Sequence, residues 1–94
     1  MRIRWTPPAA DDLESIKDYL LRHYPHLAET TVREIYQRIR ALKEYPSCGR
    51  PGHRPGTREL VLTPLPYVVV YRLKAEAVEL LHIYHGAQDW RLRS

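Results

Sequence analysis

Four basic side chains lie within nine residues, in and just after the irregular, glycine-rich segment 47–57. They are Arg50, His53, Arg54 and Arg58, and no acidic residue lies among them. Guanidinium groups make paired hydrogen bonds to phosphate oxygens, and glycine lets an anion approach the backbone closely. The segment is therefore a candidate basic target-binding surface, although a solvated loop would have the same composition. Arg58 is the strongest member because it starts a predicted strand.

Arg72 lies inside the most apolar predicted strand of the chain, residues 67–73. In regular strand geometry its side chain shares a face with Val68. A charge in that position must reach an edge, find a partner or face a functional groove. Glu59 and Glu79, on the neighbouring predicted strands, are candidate partners, so a structural ion pair and a functional role both remain open.

Two histidines, His82 and His85, lie near the end of the last predicted strand. Strand residues three apart point to opposite faces, so the pair cannot chelate one metal ion. Imidazole titrates near neutral pH, which makes either residue a candidate general acid or base. His82 has the parity of Leu80 and is predicted to be a core or near-core side chain. His85, at the strand end, is the better functional candidate.

Other patterns have simpler explanations than chemistry. The acidic residues of the first predicted helix are attributed to the positive end of the helix dipole rather than to a metal. Tyrosines of the sheet region and Trp90 are assigned to packing rather than to base stacking. The chain has no Walker-type loop, no serine nucleophile turn and no carboxylate pair in the sheet region, so no cofactor, no metal and no conventional metabolic enzyme is expected.

The composition indicates one small domain, residues 1–94, with a net charge of +4 and a pI near 9.5. Residues 47–94 hold seven Lys and Arg against four Asp and Glu, which favours an anionic partner. A single cysteine, Cys48, fits a reducing, cytoplasmic compartment. No apolar run approaches the ~18 residues of a membrane span.

Hydrophobic periodicity predicts a two-layer α+β domain of order β-α-α-β-β-β. Thr6 caps the first helix and Pro7 and Pro8 enter its first turn. Pro25 ends that helix, and the two helices should form an antiparallel hairpin packed on a mainly antiparallel sheet. The predicted strands are 2–5, 58–62, 67–73 and 78–85, and the second helix is predicted over 27–45.

The order and spacing of several short motifs resemble the RelE/ParE superfamily of type II toxin–antitoxin toxins, also known as plasmid stabilisation proteins. The resemblance covers nearly the whole chain. Its motifs are the strand ending at Trp5, Ala10-Asp11-Asp12-Leu13, Leu42 before Pro46, Gly49-Arg50, Gly56-Thr57-Arg58-Glu59-Leu60, Pro66-Tyr67-Val68-Val69-Val70-Tyr71 and Ile83-Tyr84-His85-Gly86-Ala87-Gln88-Asp89-Trp90.

The resemblance implies a cytoplasmic bacterial growth inhibitor that a small cognate antitoxin neutralises. RelE-like members cleave mRNA on the ribosome without metal and use basic residues. ParE-like members share the fold and poison DNA gyrase. The ParE-like branch is favoured here, because the chain lacks lysine between Lys43 and Lys74 and ends in a His-Gly-x-x-Asp pattern.

Two hypotheses follow from the resemblance. The first is gyrase poisoning, with the C-terminal segment His85, Asp89 and Trp90 as a functional region. The alternative is a ribosome-dependent, metal-independent endoribonuclease in which Arg58 and Arg72 would hold the scissile phosphate and His85 would move the proton.

Overall fold

The computed structural model describes residues 1–86, in which two helices pack on one face of a five-stranded sheet. The predicted α+β architecture, a helical hairpin on a mainly antiparallel sheet, is confirmed, and the segment before the second predicted strand contributes an extra two-residue strand. Asp89 and Trp90 lie outside the described residues. The elements are β1 (Arg2–Trp5), α1 (Pro7–His23), α2 (Pro25–Arg40), a 3₁₀ turn (Ala41–Lys43), β2 (Arg50–Pro51), β3 (Thr57–Val61), β4 (Tyr67–Lys74) and β5 (Ala77–His85).

The strands lie in the order β1-β5-β4-β3-β2. All neighbours are antiparallel except β1 and β5, which run parallel, with Arg2 opposite Ala77 and Trp5 opposite Leu80. The first strand of the chain therefore lies at one edge, beside the first half of the last strand. The short β2 forms the other edge.

Helix α1 begins as predicted. The Thr6 hydroxyl accepts a hydrogen bond from the Ala9 N–H at 3.4 Å and donates one to the Leu80 carbonyl at 2.7 Å. The same side chain thus caps the helix and fastens its start to β5. Prolines occupy the first turn, where the backbone N–H groups have no helical partner.

The hairpin is tighter than predicted and its second helix is shorter. Only Tyr24 separates the helices, because Pro25 opens α2 at a position that needs no N–H donor. The regular helix ends at Arg40 and not near residue 45. A 3₁₀ turn follows, which satisfies some carbonyls that the end of an α-helix leaves without partners.

A β-bulge in β5 decides which of its side chains face the helices. Val70 lies opposite His82 and Tyr71 lies opposite Leu80, so Leu81 has no opposite residue in β4. One extra residue reverses the alternation of side chains beyond it. Sequence parity therefore fails across this point.

The bulge corrects the prediction that grouped His82 with Leu80. Leu80 before the bulge and Ile83 after it both pack in the helix-covered core. His82 instead lies on the other side of the sheet, which we call the second face, with Val70 opposite it. Val70 is itself buried, which agrees with the prediction that the central strands are apolar on both faces.

Within residues 1–86, neither helix is long and apolar enough to cross a membrane.

Candidate functional site

The predicted basic segment is fastened to the sheet by two side chains on the helix-covered face. Arg58 Nη1 donates to the carbonyls of Ser47 and Gly49, at 3.1 and 2.8 Å. The Tyr71 hydroxyl donates to the Pro46 carbonyl at 2.8 Å and accepts from the Gly49 N–H at 2.9 Å. Four hydrogen bonds therefore hold the chain between α2 and β3 against β3 and β4.

Gly49 is the residue that lets this segment come so close. A Cβ at that position would lie 2.6 Å from the Tyr71 hydroxyl oxygen and 2.9 Å from the Glu59 carbonyl oxygen. Both distances are shorter than van der Waals contact, so no larger residue fits without movement. Burial raises the pKa of Tyr71, and the hydrogen bond from Gly49 partly offsets that shift.

The remaining basic residues of the segment project outward. Arg50 is exposed, but its Nε donates to the buried Glu59 carboxylate at 2.9 Å. His53 and Arg54 are exposed, and the Arg54 carbonyl accepts from the Thr57 hydroxyl at 2.6 Å. Their role as a target-binding surface, with Arg58, stays a prediction.

Arg72 has the second of its two predicted partners. It lies opposite Glu79, and its Nε donates to the Glu79 carboxylate at 2.6 Å. Arg4 Nη1 contacts the other carboxylate oxygen at 3.4 Å. The hydrogen bond from Arg72 is the main cause that lowers the pKa of Glu79, and the charges of Arg72, Arg4 and Lys74 add to it.

His82 is held by a residue seventy positions away. Its Nδ1 lies 3.2 Å from Asp12 Oδ2, and the same oxygen accepts the Ile83 N–H at 2.9 Å. The helix-dipole explanation of the acidic residues is wrong for Asp12, because the first turn of α1 contains no acidic residue. Asp12 instead pairs with β5 beyond the end of β1. His82 is three-quarters buried, as expected for a near-core side chain.

His85 is exposed at the end of β5, as predicted. Its ring meets the Tyr67 ring edge-on, with centroids 5.8 Å apart. Both line a cleft of about 500 Å³ between α1 and the sheet, together with Asp12 and Tyr19. Burial, and secondarily the nearby Tyr19, raises the pKa of Tyr67.

The structure does not bring Arg58, Arg72 and His85 together. Arg58 lies opposite Tyr71 on the helix-covered face, whereas Arg72 lies opposite Thr57 on the second face. His85 is level with Tyr67, four residues along β4 from Tyr71, which is about 13 Å at the rise of a strand. A single phosphate could not touch all three side chains in this arrangement.

Sequence reasoning missed one surface altogether, a groove on the outer side of the helical hairpin. It has a volume of about 490 Å³ and contains the exposed Leu21 and Tyr36. The signal was present, because apolar residues off the core-facing stripe of an amphipathic helix leave a second apolar face.

Among residues 1–86, no three His, Cys, Asp or Glu side chains are grouped so that they could hold a metal ion.

The fold is that of a small α+β domain with two helices on a five-stranded sheet, and known proteins share it. A solved structure described as the chromosomal ParDE TA system from P. aeruginosa superposes with a TM-score of 0.83. Its matched chain is 31% identical, and the match covers 90% of this chain and 95% of the other.

Two further relatives align over most of their length. The protein Y4kP of Sinorhizobium fredii is 43% identical over 89 residues, 95% of this chain and 92% of its own. Toxin RelE2 of Caulobacter vibrioides is 33% identical over 87 residues, 93% of this chain and 97% of its own. Residues 3–90 match the family described as the ParE toxin of type II toxin-antitoxin system, parDE. The chain belongs to this ParE toxin family, which confirms the predicted superfamily and the favoured branch.

Proposed function

We propose that this toxin inhibits growth by poisoning DNA gyrase in the bacterial cytoplasm, without catalysing a reaction of its own. The observation that carries the proposal is the separation of Arg58, Arg72 and His85. The endoribonuclease alternative needs the two arginines on one phosphate and the imidazole beside it. Here the arginines lie on opposite faces of the sheet, and Arg58 is bonded to two backbone carbonyls.

Membership of the ParE family supports the same target, because gyrase poisoning is what a ParE-like sequence implies. The test is direct. Purified full-length toxin should stop gyrase from supercoiling relaxed plasmid and should accumulate cleaved plasmid after protein denaturation. The mRNA on translating ribosomes should stay intact by primer extension.

Variants sharpen this test. We expect Arg72→Ala and His85→Ala to leave mRNA intact, as the parent does, because the proposal gives neither residue a catalytic role. Cleavage at a fixed codon position by the parent, abolished by His85→Ala, would overturn the proposal in favour of the endoribonuclease.

We further propose that a cognate antitoxin neutralises the toxin by covering the hairpin groove. The groove is apolar along Leu21, Ala28 and Val32. Its charged lining residues are three cations and one carboxylate, namely Lys17, Arg33, Arg40 and Glu29. An amphipathic segment with one apolar side and acidic flanks is complementary to that pattern. The ParDE system from P. aeruginosa, by its description, is a two-part system, which supports a protein partner here.

Two exposed leucines of the hairpin allow a matched test of the groove. Leu21 lines it and is 51% exposed, whereas Leu27 is 46% exposed and lies outside its lining. With the protein encoded by the neighbouring reading frame as probe, Leu21→Glu should weaken binding at least tenfold in calorimetry, and Leu27→Glu should not. Equal effects would place the antitoxin elsewhere.

A further inference from the structure

The strand register places several basic side chains on the second face of the sheet. Lys74 lies opposite the buried Ala77, and Arg72 lies opposite Glu79. Arg2 and Arg4 alternate with Ile3 and Trp5, which pack on the core from β1. Arg50, on the strand at the other edge of the sheet, lies opposite Glu59 and so is on the same face. This side of the sheet therefore carries five cations, which we call the cationic face: Arg2, Arg4, Arg50, Arg72 and Lys74.

The acidic residues of the cationic face are buried beneath its arginines. The Glu59 and Glu79 side chains are only 5% and 4% exposed, whereas those of Arg4, Arg50 and Arg72 are 60%, 61% and 44% exposed. A ligand approaching this face meets guanidinium groups before it meets a carboxylate. Even with Glu76 of the adjoining turn counted, five cations face three carboxylates.

The buried carboxylates also orient the guanidinium groups. Glu59 binds Arg50 through Nε, and Glu79 binds Arg72 through Nε. Within residues 1–86, neither arginine has a hydrogen bond from its terminal nitrogens. Those nitrogens can engage a phosphate end-on in a bidentate manner. The two carboxylates thus fix the guanidinium groups in place and leave the terminal N–H donors available.

The spacing of the arginines excludes a single small anion as the ligand. Arg4 lies on β1 and Arg50 on β2, the two opposite edge strands, so their Cα atoms are four strand spacings, about 19 Å, apart. One phosphate cannot bridge that distance. A chain of phosphates can, because a nucleic acid presents one charge about every 3.4 Å along each strand.

We propose that the cationic face binds duplex DNA through its phosphate backbone. A single-stranded nucleic acid is bound mainly by stacking bases on exposed aromatic rings. Among residues 1–86, the cationic face presents arginine and lysine, while Tyr84 on the same side of the sheet is fully buried. Backbone contacts of this kind position a protein on DNA without reading its sequence.

The inference goes beyond the proposed function and does not depend on the target. The cationic face and the hairpin groove lie on opposite sides of the molecule, since the helices cover only the other face of the sheet. A toxin with its groove occupied would therefore keep its DNA-binding face accessible.

The test uses the full-length toxin, a labelled 20-base-pair duplex of random sequence and fluorescence anisotropy between 50 and 200 mM salt. The variant Arg4→Gln/Lys74→Gln removes two charges and leaves the Nε bonds of Arg50 and Arg72 in place. Each lost phosphate contact lowers the slope of log K against log salt by about 0.9, so we expect a slope about 1.8 smaller and at least tenfold weaker binding at 50 mM.

The control Arg33→Gln/Arg40→Gln removes the same charge from the hairpin and should bind as the parent does. Equal losses in the two double variants would reduce the effect to net charge and overturn the inference. So would an absence of binding by the natively folded parent at 50 mM salt. Equally tight binding of the single strand, or competition by polyglutamate at equal charge concentration, would overturn the choice of duplex DNA. Gyrase is absent from the assay, so its outcome is separate from that of the proposed function.

Discussion

The two faces of the sheet bury their side chains by different means. The helix-covered face uses apolar volume, such as Val69, Leu80 and Ile83, packed under the helical hairpin. The second face also buries apolar side chains, such as Val70 and Tyr84, but in addition it buries Glu59 and Glu79 under exposed arginines. One face is therefore a core that tolerates no loss of volume. The other is a surface whose charges are arranged by buried partners.

The comparison shows why arginines that are near each other in sequence and register need not share a role. Arg58 and Arg72 lie on adjacent strands, one residue out of register, which is enough to put them on opposite faces. Arg58 reaches back to carbonyls of the segment before β2, whereas Arg72 faces solvent above Glu79. The first fastens the fold, and the second belongs to the cationic face.

The largest effect should come from the residues that the bulge separates. Leu80 is fully buried in the core, while Leu81 beside it is only partly buried. Leu80→Ala should lower the free energy of unfolding by about 3 kcal/mol, through lost transfer energy and the cavity that remains. Leu81→Ala should cost less than about 1 kcal/mol in the same urea titration. Similar costs for the two would contradict the difference in burial between Leu80 and Leu81.

This bulge also marks the limit of what could be predicted from sequence. The helices, the strand order along the chain and the polar start of α1 follow from local signals, such as Thr6 with Pro7 and Pro8. The position of a bulge depends on how two strands pair, and neither Leu81 nor its neighbours include the glycine that sometimes signals one. A prediction made without the bulge therefore puts His82 on the helix-covered face, which is wrong.

For ion pairs between residues distant in sequence, the sequence predicts only a set of alternative partners. Two acidic residues were candidates for Arg72, and the register chose Glu79 while giving Glu59 to Arg50. Asp12 is seventy residues from His82, and nothing local indicates that α1 passes the part of β5 that β1 leaves uncovered. Fold class is a matter of periodicity, whereas the partners of a charge depend on tertiary packing.

A smaller loss is expected from the hydroxyl that joins the helix-covered face to the segment before β2. Tyr71→Phe keeps the ring and leaves the buried Gly49 N–H without its acceptor. An unsatisfied buried donor costs about 2 kcal/mol, and the unfolding free energy should fall by that amount. Tyr36→Phe, at an exposed site, should change it by less than about 0.5 kcal/mol. If the two substitutions prove equally mild, the hydroxyl does not hold this segment.

The ion pair of Glu79 on the second face should make the stability of the protein depend on pH. Its neighbours hold the pKa of Glu79 below the ordinary 4.5, so the folded state binds fewer protons than the unfolded state as the pH falls below about 4.5. The stabilisation is complete above that pH and is lost as the pH falls through the folded pKa. The thermal midpoint of the parent should therefore drop between pH 5 and 3.

Replacing the carboxylate tests the origin of that acid loss. Glu79→Gln should melt earlier than the parent near pH 7, and the two curves should converge toward pH 3. Glu76→Gln, in the exposed turn between β4 and β5, should run parallel to the parent throughout. An acid loss that is unchanged in Glu79→Gln would mean that other carboxylates cause it.

The smallest effect concerns the turn that joins the two central strands at the charged end of the second face. Ala75 has a φ of +54°, a left-handed conformation in which a Cβ is disfavoured. Ala75→Gly should relieve this strain, but glycine also gains freedom in the unfolded chain, so the net gain should be about 0.5 kcal/mol. Gly56→Ala, the reverse change at a φ of +81° with nothing near its Cβ position, should lose a similar amount. Ala75 adjoins Lys74 of the cationic face, but neither Ala75 nor Gly56 brings a charged side chain to a surface argued above. Both variants should therefore leave antitoxin and DNA binding unchanged. A stabilised Ala75→Gly variant with altered DNA binding would show that the turn also shapes the cationic face.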